Sequence, residues 1–152
     1  KMYPLQLMDK VVKLFAARRD VRIFLFGFGE KEEGAIDILR KGCVDKTVNM
    51  ARSRLGLSAE LALLSHCDAM LSMDSANMHL ASLVGLRAVS VWGATHPFAG
   101  FYGAGQNPDD AVQTDMPCRP CSIFGNKPCR RGDHACLTQL PPKKIVSALS
   151  RD

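Results

Sequence analysis

The sequence lacks any long apolar run. Its most apolar stretch, Leu61 to Met73, is interrupted by Ser65, His66 and Asp68, so it falls short of the roughly 18 uninterrupted apolar residues that a membrane-spanning helix needs. The opening residues carry no secretory signal pattern, and the expectation is a cytoplasmic chain. The Gly-x-Gly-x-x-Gly fingerprint of dinucleotide-binding domains is also incomplete. Gly27 and Gly29 are followed next by Gly34, not by a glycine three places on, which argues against a nicotinamide-dependent enzyme. Those glycines suit a sharp backbone turn at a strand end instead. Disorder is excluded by composition: 47% of the 152 residues are hydrophobic, enough for one globular domain with its own core.

Charge is abundant but unevenly placed. The formal net charge is +5, and residues 116–152 hold seven Lys or Arg against two acids while the rest of the chain balances. A basic segment of this kind suits an anionic partner, such as phosphate, a phosphorylated glycolipid or nucleic acid, or forms a solvated face.

Of six cysteines, Cys43 and Cys67 sit in apolar sequence and read as small core residues. The other four, Cys118, Cys121, Cys129 and Cys136, form Cys-x2-Cys-x7-Cys-x6-Cys. Four soft ligands suit a tetrahedral zinc that staples a long loop. What is missing is a second close pair, since structural zinc more often takes two knuckles. Structural thiols, reduced or disulfide-linked, are the competing reading.

Apolar spacing predicts helices at about residues 5–18, 32–41, 59–66, 77–84 and 143–149, the third capped by Ser58 and the last led by Pro141 and Pro142. Short β-rich runs predict strands at 21–26, 44–50, 69–73 and 88–92, and residues 95–142 read as loop. Alternation of helices with strands too apolar to leave a face in water predicts one α/β domain over residues 1–152, a Rossmann-like parallel sheet with helices on both faces. A Cys-rich loop at about 116–140 and a terminal helix complete it. In such folds ligands bind beyond the carboxyl ends of the strands.

The junction Met73-Asp74-Ser75-Ala76-Asn77-Met78-His79 sits at such an end. A strand passes through a short polar turn into a helix whose first amides lack helical acceptors and whose dipole is positive, a geometry suited to a diphosphate. Asp74 would repel phosphate and is better employed accepting hydrogen bonds from sugar hydroxyls. An ordinary helix cap also accounts for Asp74 and Ser75, and His79 alone reads as a packed or hydrogen-bonded histidine.

The run Asp74-Ser75-Ala76-Asn77-Met78-His79-Leu80-Ala81, then Gly85 and Gly93-Ala94-Thr95-His96-Pro97, resembles the signature of glycosyltransferase family 9, the heptosyltransferases of lipopolysaccharide cores. Lys1-Met2-Tyr3-Pro4 is similar to the family's Lys-x-Trp-Pro, and Cys118, Pro120, Cys121, Cys129, Gly132, Cys136 and Leu137 match a cysteine pattern in relatives not described as zinc enzymes. Ala76 replaces the family's usual Gly, and His96 its usual Asp.

The resemblance implies the C-terminal, donor-binding half of a GT-B type, inverting glycosyltransferase. The donor would be a nucleotide sugar, ADP-heptose, and the acceptor an anionic lipopolysaccharide-core glycolipid reached peripherally at the inner membrane. No cofactor is required, and no nucleic-acid partner is favoured. Asp74 would touch the sugar, Ser75, Ala76 and Asn77 the diphosphate, Lys1 the phosphates and Glu60 the ribose, with His79 and Thr95 beside them. The catalytic base would belong to a preceding half, leaving this half inactive by itself. The rival expectation is a zinc-stapled module that grips nucleic acid or protein.

Overall fold

The computed structural model describes residues 2–99 and 101–151. Its helices are α1 (Leu5–Ala16), α2 (Gly29–Arg40), α3 (Leu57–Leu64), α4 (Ala76–Leu83), α5 (Ala135–Thr138) and α6 (Pro142–Leu149). Its strands are β1 (Ile23–Leu25), β2 (Thr47–Asn49), β3 (Met70–Met73), β4 (Ala88–Trp92) and β5 (Ala111–Gln113).

All strand pairs are parallel, as the alternating sequence predicts. β4 lies between β3 and β5 and is buried at all five residues. Its side chains alternate between two cores, as the pleat demands. Val89 and Val91 pack with Val11 of α1, Leu137 of α5 and Ile145 of α6. Ala88 and Trp92 pack on the other face with Leu64 of α3 and Met78 and Ala81 of α4. The indole N–H of Trp92 donates to Ser90 Oγ at 2.8 Å, so this fully buried ring leaves no donor unsatisfied.

Several boundaries differ from the sequence reading. The strand expected at 44–50 is only Thr47–Asn49, because Lys46 N–H donates to Cys43 C=O and Thr47 Oγ1 to the same carbonyl, turning the chain first. Ser58 does not cap α3: it lies inside the helix, and the cap is extended Gly56, whose carbonyl receives the Ala59 and Glu60 amides. α2 starts at Gly29 instead of residue 32, where the Glu32 carboxylate accepts the Phe28 amide at 2.8 Å and a positive φ at Gly29 favours glycine. The span read as loop contains β5 and α5, three and four residues long, too short to show a period.

The parallel strands and covering helices of the expected fold are present, with one difference in the ladder. Among the described residues the ladder is in two pieces, β1 with β2 and β3 with β4 and β5. A cleft of about 710 Å³ lies between them, walled by Phe24 and Leu25 on one side and Met70 and Leu71 on the other. α1 spans the break, with Val12 packed beside Leu39 and Ile23 and Val11 beside Val89 and Val91.

The starts of β4 and β5 are tied to α6 by one buried carboxylate. Arg87 Nε and Nη2 donate to Asp110 at 2.8 and 2.7 Å, Arg151 adds a contact at 3.2 Å, and Arg87 Nη2 also reaches the Ala148 carbonyl at 2.7 Å. The Asp110 side chain is 3% exposed and Arg87 is 28% exposed, so removing the acid strands a guanidinium in low dielectric. Asp110→Ala should therefore lower unfolding free energy by about 3 kcal/mol, read from urea denaturation. A midpoint equal to wild type would refute this tie.

Candidate active site

The carboxyl ends of β3 and β4 open onto the turns that carry the motif residues. After β3, Asp74 is buried and Ser75 is the extended N-cap of α4 (φ −151°, ψ 170°). The Ser75 hydroxyl does not cap the helix. It lies 3.0 Å from the Ser72 hydroxyl, which itself donates to the Met73 carbonyl at 2.9 Å. The Ser75 side chain therefore leaves the first α4 amides uncapped, and their partial positive charge is directed toward the strand ends. Ser75 and Ala76 are exposed, Asn77 is half-buried, and Asn77 lies on the wall of the cleft between the two sheet pieces.

After β4, Gly93 packs so tightly that a Cβ there would meet Leu137 Cγ at 2.8 Å. This close approach requires glycine. Two residues on, Thr95 is 1% exposed and its hydroxyl has no hydrogen-bond partner among the described residues. An unsatisfied buried hydroxyl is unfavourable by about 1–3 kcal/mol, so a group that bonds to it there is favoured. His96 shares a second cavity of about 220 Å³ with Gln113, Asp115, Met116, Arg119 and Lys144.

Arg119 organises these turns, and sequence reasoning passed over it as the residue between two cysteines. Its guanidinium donates to the carbonyls of Gly93, Thr114 and Thr95, the last at 3.1 Å, and to Gln113 Oε1 at 2.9 Å. The loops after β4 and β5 are thus held by one rigid fork of donors. Burial pulls the Arg119 pKa down from its ordinary value, while neighbouring thiols and Asp115 oppose that shift. The signal available in sequence was a cation beside a proline in a Gly- and Pro-rich span, which does not specify acceptors.

The remaining expected residues scatter in exposure. Glu60 is half-buried in the first turn of α3, a helix packed against α4, and His79 is exposed on α4. Lys1 lies outside the described residues. Asp74, Ser75, Ala76 and Thr95 line neither of these two cavities. Burial of Asp74 leaves its carboxylate less open than a sugar contact would suggest.

The four clustered thiols are unbridged. Among the described residues no three His, Cys, Asp or Glu side chains converge to hold a metal ion, so the zinc-stapled module gains no support from the geometry. No helix among the described residues is long and apolar enough to cross a membrane.

Arg119→Lys keeps the charge but cannot serve four acceptors in two loops. It should lower stability by about 2 kcal/mol, measured by chemical denaturation. An unchanged midpoint would show that the fork is dispensable.

Comparison with known proteins gives consistent matches. The family model described as glycosyltransferase family 9 (heptosyltransferase) matches residues 1–127. Lipooligosaccharide heptosyltransferase 2 of Campylobacter jejuni subsp. jejuni serotype O:2 is 26% identical over 139 residues, covering 90% of this chain and 42% of that protein. Lipopolysaccharide heptosyltransferase 1 of Pseudomonas aeruginosa is 28% identical over 111 residues, covering 63% of this chain and 30% of the relative. The solved structure of E. coli heptosyltransferase WaaC with ADP superposes with a TM-score of 0.60 at 22% identity, over 73% of this chain and 32% of that one. The chain spans about two fifths of the length of the Campylobacter relatives it matches.

Proposed function

Because the chain belongs to glycosyltransferase family 9, we propose that it is the donor-binding half of an inverting glycosyltransferase that moves heptose from ADP-heptose to a lipopolysaccharide-core acceptor. The E. coli neighbour of like fold is a heptosyltransferase solved with ADP, and the curated relatives are lipooligosaccharide and lipopolysaccharide heptosyltransferases. The observation that carries the reading is the start of α4, which the Ser75 side chain does not cap and where Ser75 and Ala76 stand exposed.

In this reading the amides of Ser75, Ala76 and Asn77 receive the diphosphate. As the bond between sugar and phosphate breaks, negative charge grows on the leaving diphosphate, and oriented amides stabilise it without reorganising. Thr95, whose buried hydroxyl has a free bonding capacity among the described residues, bonds the same ligand from the β4 turn. Asp74 accepts from sugar hydroxyls, which requires its carboxylate to turn outward from its buried position when donor arrives. Glu60 reaches the ribose, Lys1 adds a point charge for the phosphates, and His79 flanks the turn.

The acceptor contacts and the base that deprotonates the attacking hydroxyl belong to a preceding N-terminal half, consistent with the partial coverage of the relatives. The protein works at the cytoplasmic face of the inner membrane, where the excess of cations in residues 116–152 favours an anionic glycolipid.

Calorimetry of Asp74→Asn separates the sugar contact from the nucleotide contact. Affinity for ADP-heptose should fall about tenfold or more, the loss expected of one charge-assisted hydrogen bond, while ADP binding changes little. Equal losses for both ligands would refute the assignment. Incubated with ADP-heptose and acceptor glycolipid, the chain by itself should bind donor but release no ADP by transfer, and measured turnover would show that the base resides within it.

A further inference from the structure

Arg119 carries a charge that its surroundings leave unbalanced. Its guanidinium is half-buried, and all four of its acceptors, the Gly93, Thr95 and Thr114 carbonyls and Gln113 Oε1, are neutral. Among the described residues no carboxylate lies in ion-pair range of it. A desolvated cation with hydrogen bonds but no counter-charge is unfavourable, so an anion brought beside it is favoured. Nearby groups do not fill that role. Burial first of all pushes the thiols of Cys121 and Cys136 up, so both stay protonated at neutral pH. Asp115 acts on the guanidinium only from an exposed position, where water screens it.

The cavity of about 220 Å³ lies against this guanidinium, and its other walls add donors. The four acceptors leave over one N–H of Arg119 Nη1. Lys144 Nζ donates to the Gln113 carbonyl at 2.7 Å and retains two further N–H groups. His96 Nδ1 accepts the Phe98 amide at 3.2 Å, so the neutral ring carries its proton on Nε2 and is a donor too. Asp115 is the one carboxylate of the lining. Two cations and an imidazole donor suit an oxyanion, and the carboxylate suits a hydroxyl next to it.

We propose that this cavity binds the phosphate or carboxylate group of an acidic sugar. Arg119, Lys144 and His96 hold the anion, and Asp115 accepts from a neighbouring hydroxyl. The cavity is walled by the turns after β4 and β5 and by the first turn of α6, whereas the α4 amides follow β3, the other neighbour of β4. The group held here is therefore a second anion, separate from the donor diphosphate. That the sugar belongs to the glycolipid acceptor rests on the donor reading above; the binding of an acidic sugar does not.

The test titrates the intact protein with inorganic phosphate and with glucose 6-phosphate at constant ionic strength, without and with saturating ADP, followed by proton–nitrogen NMR correlation spectra. Signals of His96, Gln113 and Arg119 should shift and saturate with both ligands, glucose 6-phosphate binding about fivefold more tightly, and ADP should leave both affinities unchanged. Lys144→Ala, at an exposed position, should weaken both ligands about fivefold, the loss expected of one part-exposed charge contact, and leave ADP binding intact. Asp115→Asn should abolish the preference for the sugar phosphate. The proposal is overturned if the shifts do not saturate, if they spread over the remaining lysines and arginines, or if Lys144→Ala binds phosphate as wild type does. Equal affinity for the two ligands overturns it as well, leaving an adventitious ion only. So does loss of the His96 shifts in ADP, because the anion would then occupy the diphosphate position. Absence of ADP binding would count against the donor reading alone, and the phosphate titrations would still decide this one.

Discussion

Burial of β4 on both faces is the constraint from which the rest of the structure follows. A strand with no solvated face needs a partner on each edge and a helical layer on each side. β3 and β5 supply the edges, α1, α5 and α6 one layer, and α3 and α4 the other. With Val89, Val91 and Trp92 all at 0% exposure, the strand has one register, and its carboxyl end has one position. The turns after β3 and β4 inherit that precision, and with them the start of α4 and the Thr95 segment.

Most of the helices and strands are legible because each carries either a clear apolar period or a short β-rich run. α1 and α6 fall within a residue or two of their expected spans, and β3 and β4 within one residue of theirs at either end. Gly85 follows the end of α4, with φ at +69° and the Leu86 amide returning to the Ala81 carbonyl at 2.9 Å. Elements that escaped the reading are those whose stability comes from tertiary contact alone. α5 is one turn of helix, yet Ala135, Cys136 and Leu137 are all buried, the last two in the core with β4 and α6, and no local pattern marks so brief a segment.

The site divides in the same way. Motif residues at a strand-to-helix junction can be found from one chain because the backbone chemistry is local. Arg119 could not, since its four acceptors come from two loops up to 26 positions distant. Gly93 is a similar case: its need for a bare Cα comes from Leu137, a partner far along the chain.

The break between β1 and β3 gives the chain an uneven mechanical character. The three-residue β1 and β2 lean on one another and on α1 and α2, with no ladder among the described residues joining them to the central strand. Cooperative opening therefore has a natural seam, and amide protons of Ile23 to Leu25 and Thr47 to Asn49 belong to a subunit of structure that can exchange with solvent while Val89 and Val91 remain protected. Gly27, Phe28 and Gly29 follow β1 on the far side of that break, whereas the α4 amides follow β3, which is laddered to β4.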